Sequence, residues 1–384
     1  MAFPGGGRFA KLLAGSTASA LGSGLVLVAA PLYVAAHTSN PLVVAATTGV
    51  SWLPWLLFAL PGGVLVDRVD RRRLMVAIDW VRVAAMSVLA VALLTGWAGI
   101  ALLDGVLFVI NAGEVVFRSA SQAMTPAVVE RADLERANGW LVGGTTVMQG
   151  LVAGPLGGFL FVLAASLPFL VNAGTYAVSA VLVGLVAGTY RASSRQEPAS
   201  ADAEADAARA RASVRAELAE GFRWLAGQRV LRTMAVLIGL LNLTLTAATA
   251  VLVLLARMRL HLGPVGYGAL FSCEAIGAVL GSAAYLAGFM MFVFGVHAAL
   301  WSIVGNSLRQ RLTPPEMLGR VGSTSLFIAA GGNCAGALLG GLAAARFGIT
   351  APFWAGFVVA IVVSAVTWHV FNRATIARAY AEPG

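Results

Sequence analysis

The chain carries little charge. Only 11% of its 384 residues are Asp, Glu, Lys or Arg, whereas 59% are hydrophobic. A soluble domain typically carries about 25% charged residues. A soluble core of this length could not bury so much apolar surface, so the composition excludes a soluble globular protein and predicts a polytopic membrane protein.

Several chemical signatures are also missing from the sequence. Its two cysteines, Cys273 and Cys334, lie far apart inside apolar runs and have neither disulfide nor metal-ligand spacing. The stretch ALGSG at 20–24 is not followed by the lysine of a nucleotide-binding loop. The sequence also offers no nucleophile with a matching base. We therefore expect no enzyme activity, no cofactor and no metal, and an ion gradient as the energy source.

The net charge of +9 comes largely from arginines that fall between apolar runs. In a soluble protein this charge would suggest a nucleic-acid partner. Here arginines follow the second, fourth and sixth runs and are missing after the first, third and fifth, which favours positive-inside topology. We expect no nucleic-acid partner, an uncleaved first helix with a cytoplasmic N-terminus, and a location in the plasma membrane.

Eleven apolar runs are long enough to cross a bilayer, which takes about 20 residues. Six lie near 10–36, 41–66, 74–95, 98–121, 138–165 and 168–189, and five near 230–256, 265–286, 288–307, 321–345 and 349–371. We predict a six-helix bundle over 1–190, a cytoplasmic linker over 191–229 and a C-terminal bundle over 230–384. In the linker, Val214, Leu218, Phe222 and Leu225 predict an amphipathic helix on the membrane surface.

The two halves of the chain repeat each other. A Thr-Pro turn is predicted at 125–126 and again at 313–314, and the glycine-rich stretches AGPLGG (153–158) and AGALLGG (335–341) follow. Internal repeats of this kind are typical of transporters.

The repeat also indicates a missing segment. Gly63 lies 62 residues before Thr125, but its counterpart Gly281 lies only 32 residues before Thr313. The second half therefore lacks about one helix and its basic loop. Three explanations remain open: the ninth run does not cross the membrane, the C-terminal tail is inverted, or the chain is an internal deletion of a twelve-span ancestor.

The stretch GGVLVDRVDRRR (62–73) carries a family resemblance. The stretch resembles the loop motif of the major facilitator superfamily, with matching residues Gly63, Asp67, Arg68, Arg71 and Arg72. The six spans, the linker and the related second half of the chain resemble the same superfamily. The family usually has glycine where this chain has Asp70. This cluster and EGFRWLAGQRVLRTM (220–234) look like the subgroup of enterobactin exporters and macrolide-efflux permeases.

The resemblance implies an all-α, two-bundle fold of about eleven transmembrane helices, in which the family's ninth helix is missing. It also implies that the loop motif latches the two halves together on the cytoplasmic side, with 319–323 as the partner. Asp67 could lie at the N-terminus of another helix, where the helix dipole favours an anion. The alternative is that these arginines only set topology, as we expect for Arg73.

A second stretch, GLVAGPLGG (150–158), resembles the antiporter motif of exporters in this superfamily. The matching residues are Gly150, Gly154, Pro155 and Gly158, although Leu141 stands where the family has an earlier glycine. Glycines allow close helix packing, and proline bends a helix. The resemblance favours export, and ordinary glycine-rich packing is the alternative.

Ionisable residues inside the spans are the candidate transport residues, because a charge at the bilayer centre costs about 2.5–3.5 kcal/mol on insertion scales. Asn111, Glu114 and Arg118 are spaced three and four residues apart, so they share one face of the fourth run. The resemblance implies that this face lines the central cavity. Glu114 is a candidate proton carrier, and a static Glu114–Arg118 pair is the alternative.

Two further sites lie in other spans. Glu274, near the middle of the eighth run, is a candidate for coupling or substrate binding, with a neutral packed carboxyl as the alternative. Asp79 and Arg82, three residues apart in the third run, are expected to form a local ion pair that supports the latch. Trp52 and Trp55 either face an apolar substrate or anchor the chain at the membrane interface.

These features predict a secondary transporter, with proton-coupled efflux of small amphipathic molecules such as drugs, macrolides or siderophore-like compounds. We expect it to work as a monomer in the lipid bilayer, with a small-molecule substrate and protons as its partners. A nutrient uptake permease is one alternative. The other is a non-transporting protein, either a deletion remnant or a membrane binding or regulatory protein.

Overall fold

The computed structural model describes residues 6–130, 133–188, 190, 222–276 and 318–370, and the regular elements in these ranges are all helical. The first half contains α1 (Gly6–His37), α2 (Pro41–Arg68), α3 (Arg71–Thr95), α4 (Ile100–Val128), α5 (Leu134–Thr146), α6 (Ala153–Leu163) and α7 (Leu167–Gly184). A π-helical turn, Val147–Val152, joins α5 to α6. The second half contains α8 (Arg229–Thr249), α9 (Leu252–Met258), α10 (Pro264–Ile276), α11 (Leu318–Phe347) and α12 (Ala351–Val370).

Eight helical segments in these ranges are long and apolar enough to cross a membrane. They coincide with the first seven predicted runs and with the tenth, and a shorter apolar segment, Ala351–Val363, lies in the last run. The prediction of an all-α polytopic membrane protein is confirmed. The ninth run, Gly281 and Thr313 lie outside the described residues, so the count of eleven helices and the missing helix stay predictions.

Local sequence explains several helix boundaries. Asn40 caps α2 by accepting a hydrogen bond from the Leu42 N–H at 3.0 Å, and Pro41 occupies the first helical position. Asp70 caps α3 by accepting from the Arg73 N–H at 2.9 Å. α3 ends at Gly96, whose φ of 80° is a left-handed conformation that glycine adopts without strain.

The structure corrects the predicted Thr-Pro turn after the fourth run. α4 continues through Pro126 to Val128. A proline lacks the backbone N–H that would bond the carbonyl four residues earlier, so α4 loses one helical hydrogen bond at Pro126 and still continues for two residues. The side-chain hydroxyl of Thr125 donates to the Ser121 carbonyl at 2.9 Å.

The helices form two bundles that meet mainly through two helix pairs. In the first half, α1 packs against α5, α6 and α7, and α4 packs against α2 and α3. In the second half, α8 packs against α11 and α12. The bundles meet where α2 packs against α11 and where α6 packs against α10. The contact helices α6 and α11 carry the repeated glycine-rich stretches.

The two ends of the molecule differ in how the bundles pack. We call the end that holds Lys11, Asp70 and Tyr190 the linker end, and the end that holds His37 and Arg257 the far end. Near the far end, one buried cluster joins α1 to α9 and α10, through residues such as Tyr33, Leu252 and Tyr267. At the linker end, the described buried residues form separate clusters in the first half and the second half.

The direction of the last two helices bears on the C-terminal tail. α11 begins at the linker end, where Val321 packs against Leu225, and reaches the far end, where Gly341 lies against Pro41. α12 then starts at the far end and runs back. The described helices therefore return the chain to the linker end and do not show the inverted tail that was one of three explanations for the short second half.

The amphipathic helix predicted in the linker is described only in part. Residues 222–227 are helical, and 191–221 lie outside the described residues. Leu225 is buried against Ala235 and Val321 of the second half, and the Phe222 ring meets the Phe327 ring edge-on at 6.2 Å. This end of the helix packs on the second half, and its position on the membrane surface stays a prediction.

Candidate functional site

A buried cluster of charged side chains joins α3 to α4. The Arg82 Nη2 atom donates to Glu114 Oε2 at 2.8 Å, and its Nη1 atom donates to Asp79 Oδ1 at 3.3 Å. Asp79 and Arg82 are fully buried, whereas 23% of the Glu114 side chain is exposed. The expected contact between Asp79 and Arg82 is present, and Arg82 extends it to Glu114.

The Arg82 guanidinium is held on every side. Its Nε atom donates to the Ile110 carbonyl at 3.2 Å, and its Nη1 atom donates to Ser19 Oγ at 3.3 Å. The rings of Phe117 and Tyr176 lie 5.4 Å and 4.9 Å from its central carbon. Hydrogen bonds and aromatic faces both stabilise a buried cation, so Arg82 keeps its charge in the middle of the bundle.

A cavity of about 250 Å³ opens beside this cluster. Its wall includes Ser23 of α1, Gln149 of the π-helical turn, and Asn111, Glu114 and Arg118 of α4. The described lining residues all belong to the first half. The three residues that the sequence places on one face of α4 therefore do line a cavity.

Two tryptophans of α2 form the aromatic wall of this cavity. The Trp52 and Trp55 rings lie 6.2 Å apart at 50°, and Arg118 lies over the Trp55 ring at 5.7 Å. Among the described residues, no carboxylate forms an ion pair with Arg118. The alternative of a static Glu114–Arg118 pair is therefore wrong, because packing of α3 on α4 brings Arg82 to Glu114 instead.

Hydroxyl groups link the cluster to neighbouring helices. Ser23 Oγ donates to Glu114 Oε2 at 3.4 Å and lies 3.2 Å from the Tyr176 hydroxyl. Sequence reasoning missed Tyr176. Its signal was a polar face on the sixth run, since Asn172, Tyr176 and Ser179 are spaced four and three residues apart.

The loop motif ties α3 to the end of α7. Asp70 Oδ2 accepts from the Tyr190 N–H at 2.8 Å, and the Arg71 N–H donates to the Tyr190 carbonyl at 3.2 Å. The Arg71 and Arg72 side chains donate to the carbonyls of Ala123 and Val186 at 3.0 Å and 2.9 Å. These bonds hold Tyr190, the residue before the linker, against the start of α3.

The same contacts set the ionisation of Asp70. Partial burial raises the pKa of this carboxyl, but two backbone N–H donors, from Arg73 and Tyr190, and the charges of Arg72 and Arg73 outweigh that effect. The net pKa is lower than the ordinary value. The acid that departs from the family pattern is therefore held as a carboxylate.

Other candidate residues fall outside the described part of the structure. The positions of Gly63, Asp67 and Arg68 belong to the last turns of α2, but their side-chain environment is not among the described residues, and neither is that of Glu274 in α10. The latch between Asp67 and the start of α11 stays a prediction.

The antiporter-like motif lies where α6 crosses α10. A Cβ atom on Gly154 would overlap the carbonyl oxygen of Gly268, and one on Gly158 would overlap that of Pro264. Pro155 is the third residue of α6, and Gly150 lies in the π-helical turn. Gly154 and Gly158 are thus placed at a close approach of the two halves.

The π-helical turn provides a further contact between the halves. Such a turn disrupts the regular i to i−4 hydrogen bonds and often marks a functional site. The Ser272 hydroxyl of α10 donates to the Leu151 carbonyl at 2.9 Å, across the interface. The sequence predicted one continuous run here and did not indicate this break.

Known proteins resemble the chain in sequence and in structure. Residues 6–291 match the major facilitator family model described as "Transmembrane secretion effector". Macrolide efflux protein A of Streptococcus pyogenes is 29% identical over 133 residues, which are 35% of this chain and 33% of that protein. The chain thus matches about a third of the length of this relative.

Solved transporter structures share the fold over nearly the whole chain. A POT family transporter in complex with 5-aminolevulinic acid has a TM-score of 0.70 at 13% identity and covers 96% of both chains. The nucleoside transporter NupG has a TM-score of 0.68 at 10% identity, over 95% of this chain and 100% of that chain. An inward-facing bacterial homologue of the iron transporter ferroportin has a TM-score of 0.67 at 15% identity, over 93% and 98%.

Proposed function

The chain belongs to the transmembrane secretion effector family of the major facilitator superfamily, and on this premise we propose that it exports small amphipathic molecules in exchange for protons. It is a multi-pass membrane transporter of the major facilitator type. The direction of transport, the coupling ion and the class of substrate are the parts proposed here.

The observation that carries the proposal is the position of Glu114. Its carboxylate contacts Arg82 on one side and the cavity on the other. An acid inside a membrane bundle with a basic partner and access to water is the usual arrangement of a proton relay. A proton taken up by Glu114 would weaken its bond to Arg82 and so couple protonation to helix packing.

The cavity supports an amphipathic substrate. Trp52 and Trp55 offer aromatic surface, while Asn111, Glu114 and Arg118 offer polar contacts. Binding pockets for small molecules typically combine a mostly apolar wall with a few polar groups that orient the ligand.

Two observations favour export. The glycines of the antiporter-like motif lie at the α6–α10 crossing, and a relative of the chain is named for macrolide efflux. We also propose that the linker end faces the cytoplasm and that the protein lies in the plasma membrane. Lys11, Arg71 and Arg72 lie at the linker end, and positive charge favours the cytoplasmic side. We further propose that the protein works as a monomer.

The test is transport in liposomes that contain the purified full chain and one fluorescent amphipathic dye at a time. An imposed proton gradient should drive dye against its concentration gradient, and Glu114→Gln should abolish that movement. Glu135→Gln makes the same chemical change at an exposed position of α5 and serves as the control. Wild-type flux by Glu114→Gln would contradict the mechanism.

Three outcomes separate the alternatives. Dye movement with the proton flow, in cells as well as liposomes, would identify an uptake permease. Dye binding with no flux under any gradient would support a non-transporting protein. Opposed movement of dye and protons is the result expected here.

A further inference from the structure

The buried cluster contains two acids and one base. Asp79, Arg82 and Glu114 form one connected network, with hydroxyl and aromatic neighbours from α1, α4 and α7. If both acids were ionised, the network would carry a net negative charge. A buried charge without a partner is costly, so one proton on the network makes it neutral.

The two acids differ in their hydrogen-bond distances to Arg82. Glu114 Oε2 accepts from Arg82 at 2.8 Å and from Ser23 at 3.4 Å. Asp79 Oδ1 lies farther from Arg82, at 3.3 Å. The shorter contact belongs to the acid that is better placed to be the carboxylate, because charge-assisted hydrogen bonds are shorter than neutral ones.

The second carboxyl oxygen of Asp79 independently indicates that this residue carries the proton. Among the described residues, Asp79 Oδ2 is buried and has no hydrogen-bond partner, and the same is true of Ser179 Oγ on α7. The Ser179 hydroxyl is near enough to Asp79 to interact with its carboxyl, although it lies outside hydrogen-bond geometry. In this conformation no donor within hydrogen-bond geometry stabilises a negative charge on Oδ2, which favours the protonated acid, and its O–H bond could turn toward Ser179 Oγ by a small side-chain rotation.

We propose that Asp79 holds the coupled proton in this conformation, and that Glu114 is the cavity-facing acid through which this proton enters and leaves. The inference rests on the proposed proton coupling and assigns the proton to a residue deeper than the cavity wall. In the transfer, the O–H bond of Glu114 breaks, an O–H bond to Asp79 forms, and Arg82 moves its closer contact from Asp79 to Glu114. Charge and atoms balance without another reactant.

The groups that face Asp79 come from three helices. Arg82 lies on its own helix, Glu114 comes from α4, and Tyr176 and Ser179 come from α7. α1 contributes the Ser19 hydroxyl through Arg82. Two acids share one basic residue in this network, so one acid holds a proton, and the shorter contact of Arg82 with Glu114 assigns that proton to Asp79.

Infrared difference spectroscopy of the purified full chain tests the assignment without requiring transport. A protonated carboxylic acid gives a C=O band that shifts in heavy water. This band should shift when aspartate carboxyls carry carbon-13 and stay in place when glutamate carboxyls do. Asp104 Oδ1 is also buried without a partner, so two variants are compared: Asp79→Asn should remove a band component that the control Asp104→Asn retains.

A second variant keeps the inference testable if Asp79→Asn does not fold. In Glu114→Gln, Arg82 has Asp79 as its one acid partner in the network, so Asp79 should ionise and its band should be lost. A glutamate-labelled band that is lost in Glu114→Gln would overturn the inference, and so would an aspartate band that Asp79→Asn leaves unchanged. The absence of any protonated-acid band would overturn it as well.

The proposed function and the assignment of the proton to Asp79 would be contradicted by different results. An Asp79 band in a protein that moves no dye with a proton gradient would contradict the proposed function, although Asp79 would still be the protonated acid of the network. Proton-driven dye movement with no Asp79 band would contradict the assignment to Asp79 and leave the proposed function standing. If both hold, Asp79→Asn should lose proton-driven accumulation and keep downhill dye movement, because asparagine mimics the neutral acid.

Discussion

Arg257 of α9 donates a hydrogen bond to the carbonyl oxygen of Ala35 in the last turn of α1. This contact joins the second half to the first half at the far end. The carbonyl groups at the C-terminus of a helix lack partners within the helix and carry the negative end of its dipole, so a cation is favourable there. The buried cluster of Tyr33, Leu252 and Tyr267 lies on the same side. This conformation is therefore closed at the far end.

Arg257→Ala should loosen the far-end closure. A charge-assisted hydrogen bond at a part-exposed site contributes about 0.5–1.5 kcal/mol, which is a two- to tenfold shift of the conformational equilibrium. A single cysteine at Leu32, in a background without Cys273 and Cys334, should react faster with a water-soluble maleimide. Arg259→Ala is the control, because Arg259 is also exposed near the end of α9. Equal labelling rates in the two variants would contradict a closing role for Arg257.

Gly154→Ala should destabilise the fold. A methyl group at this position would overlap the Gly268 backbone, and overpacking costs about 1–3 kcal/mol. Gly174→Ala is a matched control, since nothing lies within 4 Å of a Cβ atom there. In a helix, alanine is normally better than glycine by up to about 1 kcal/mol, so the two variants should differ in sign. Thermal unfolding in detergent, followed by size-exclusion chromatography, measures both, and equal melting temperatures would refute the close crossing.

Trp55→Ala and Arg118→Ala should each weaken dye binding about three- to tenfold. Aromatic and cation–π contacts contribute roughly 0.5–1.5 kcal/mol each, and Arg118 stacks on Trp55. The two effects should be less than additive, because removing either side chain ends the same contact. Equilibrium dye binding measures this, with Trp80→Ala as the control. Trp80 lies on the outer face of α3 and is 50% exposed.

Asp70→Asn should make the fold less sensitive to acid. The pKa of Asp70 is lowered in the folded protein, so its carboxylate contributes stability above the unfolded pKa, and that contribution is lost as the pH falls through the folded pKa. The wild type should therefore lose stability below about pH 4, where an ordinary aspartate titrates. Asparagine caps a helix about as well as aspartate, so α3 should keep its start. A melting-temperature profile against pH measures the difference, and parallel profiles would show that the bonds of Asp70 to Arg73 and Tyr190 add no stability.

The features that follow from short-range spacing could be predicted from the sequence. The length of the apolar runs predicts the helical spans, and the three- and four-residue spacing of Asn111, Glu114 and Arg118 predicts that they share one face of α4. The contact between Asp79 and Arg82 came from the same periodicity. Each of these features is set within one helix, by a regular geometry that the order of residues already contains.

The partners that join different helices could not be predicted in this way. Helix spacing makes Arg118, one turn along α4, the possible ion-pair partner of Glu114, but the partner in the structure is Arg82 on α3. Tyr176, the Ser272 bond to the π-helical turn and the Arg257 bond to Ala35 were missed for the same reason. The sequence by itself determined which residues are buried in the membrane and which share a helix face. Only the tertiary structure decided which faces meet, because helix packing depends on the close fit of many small contacts between segments far apart in the chain.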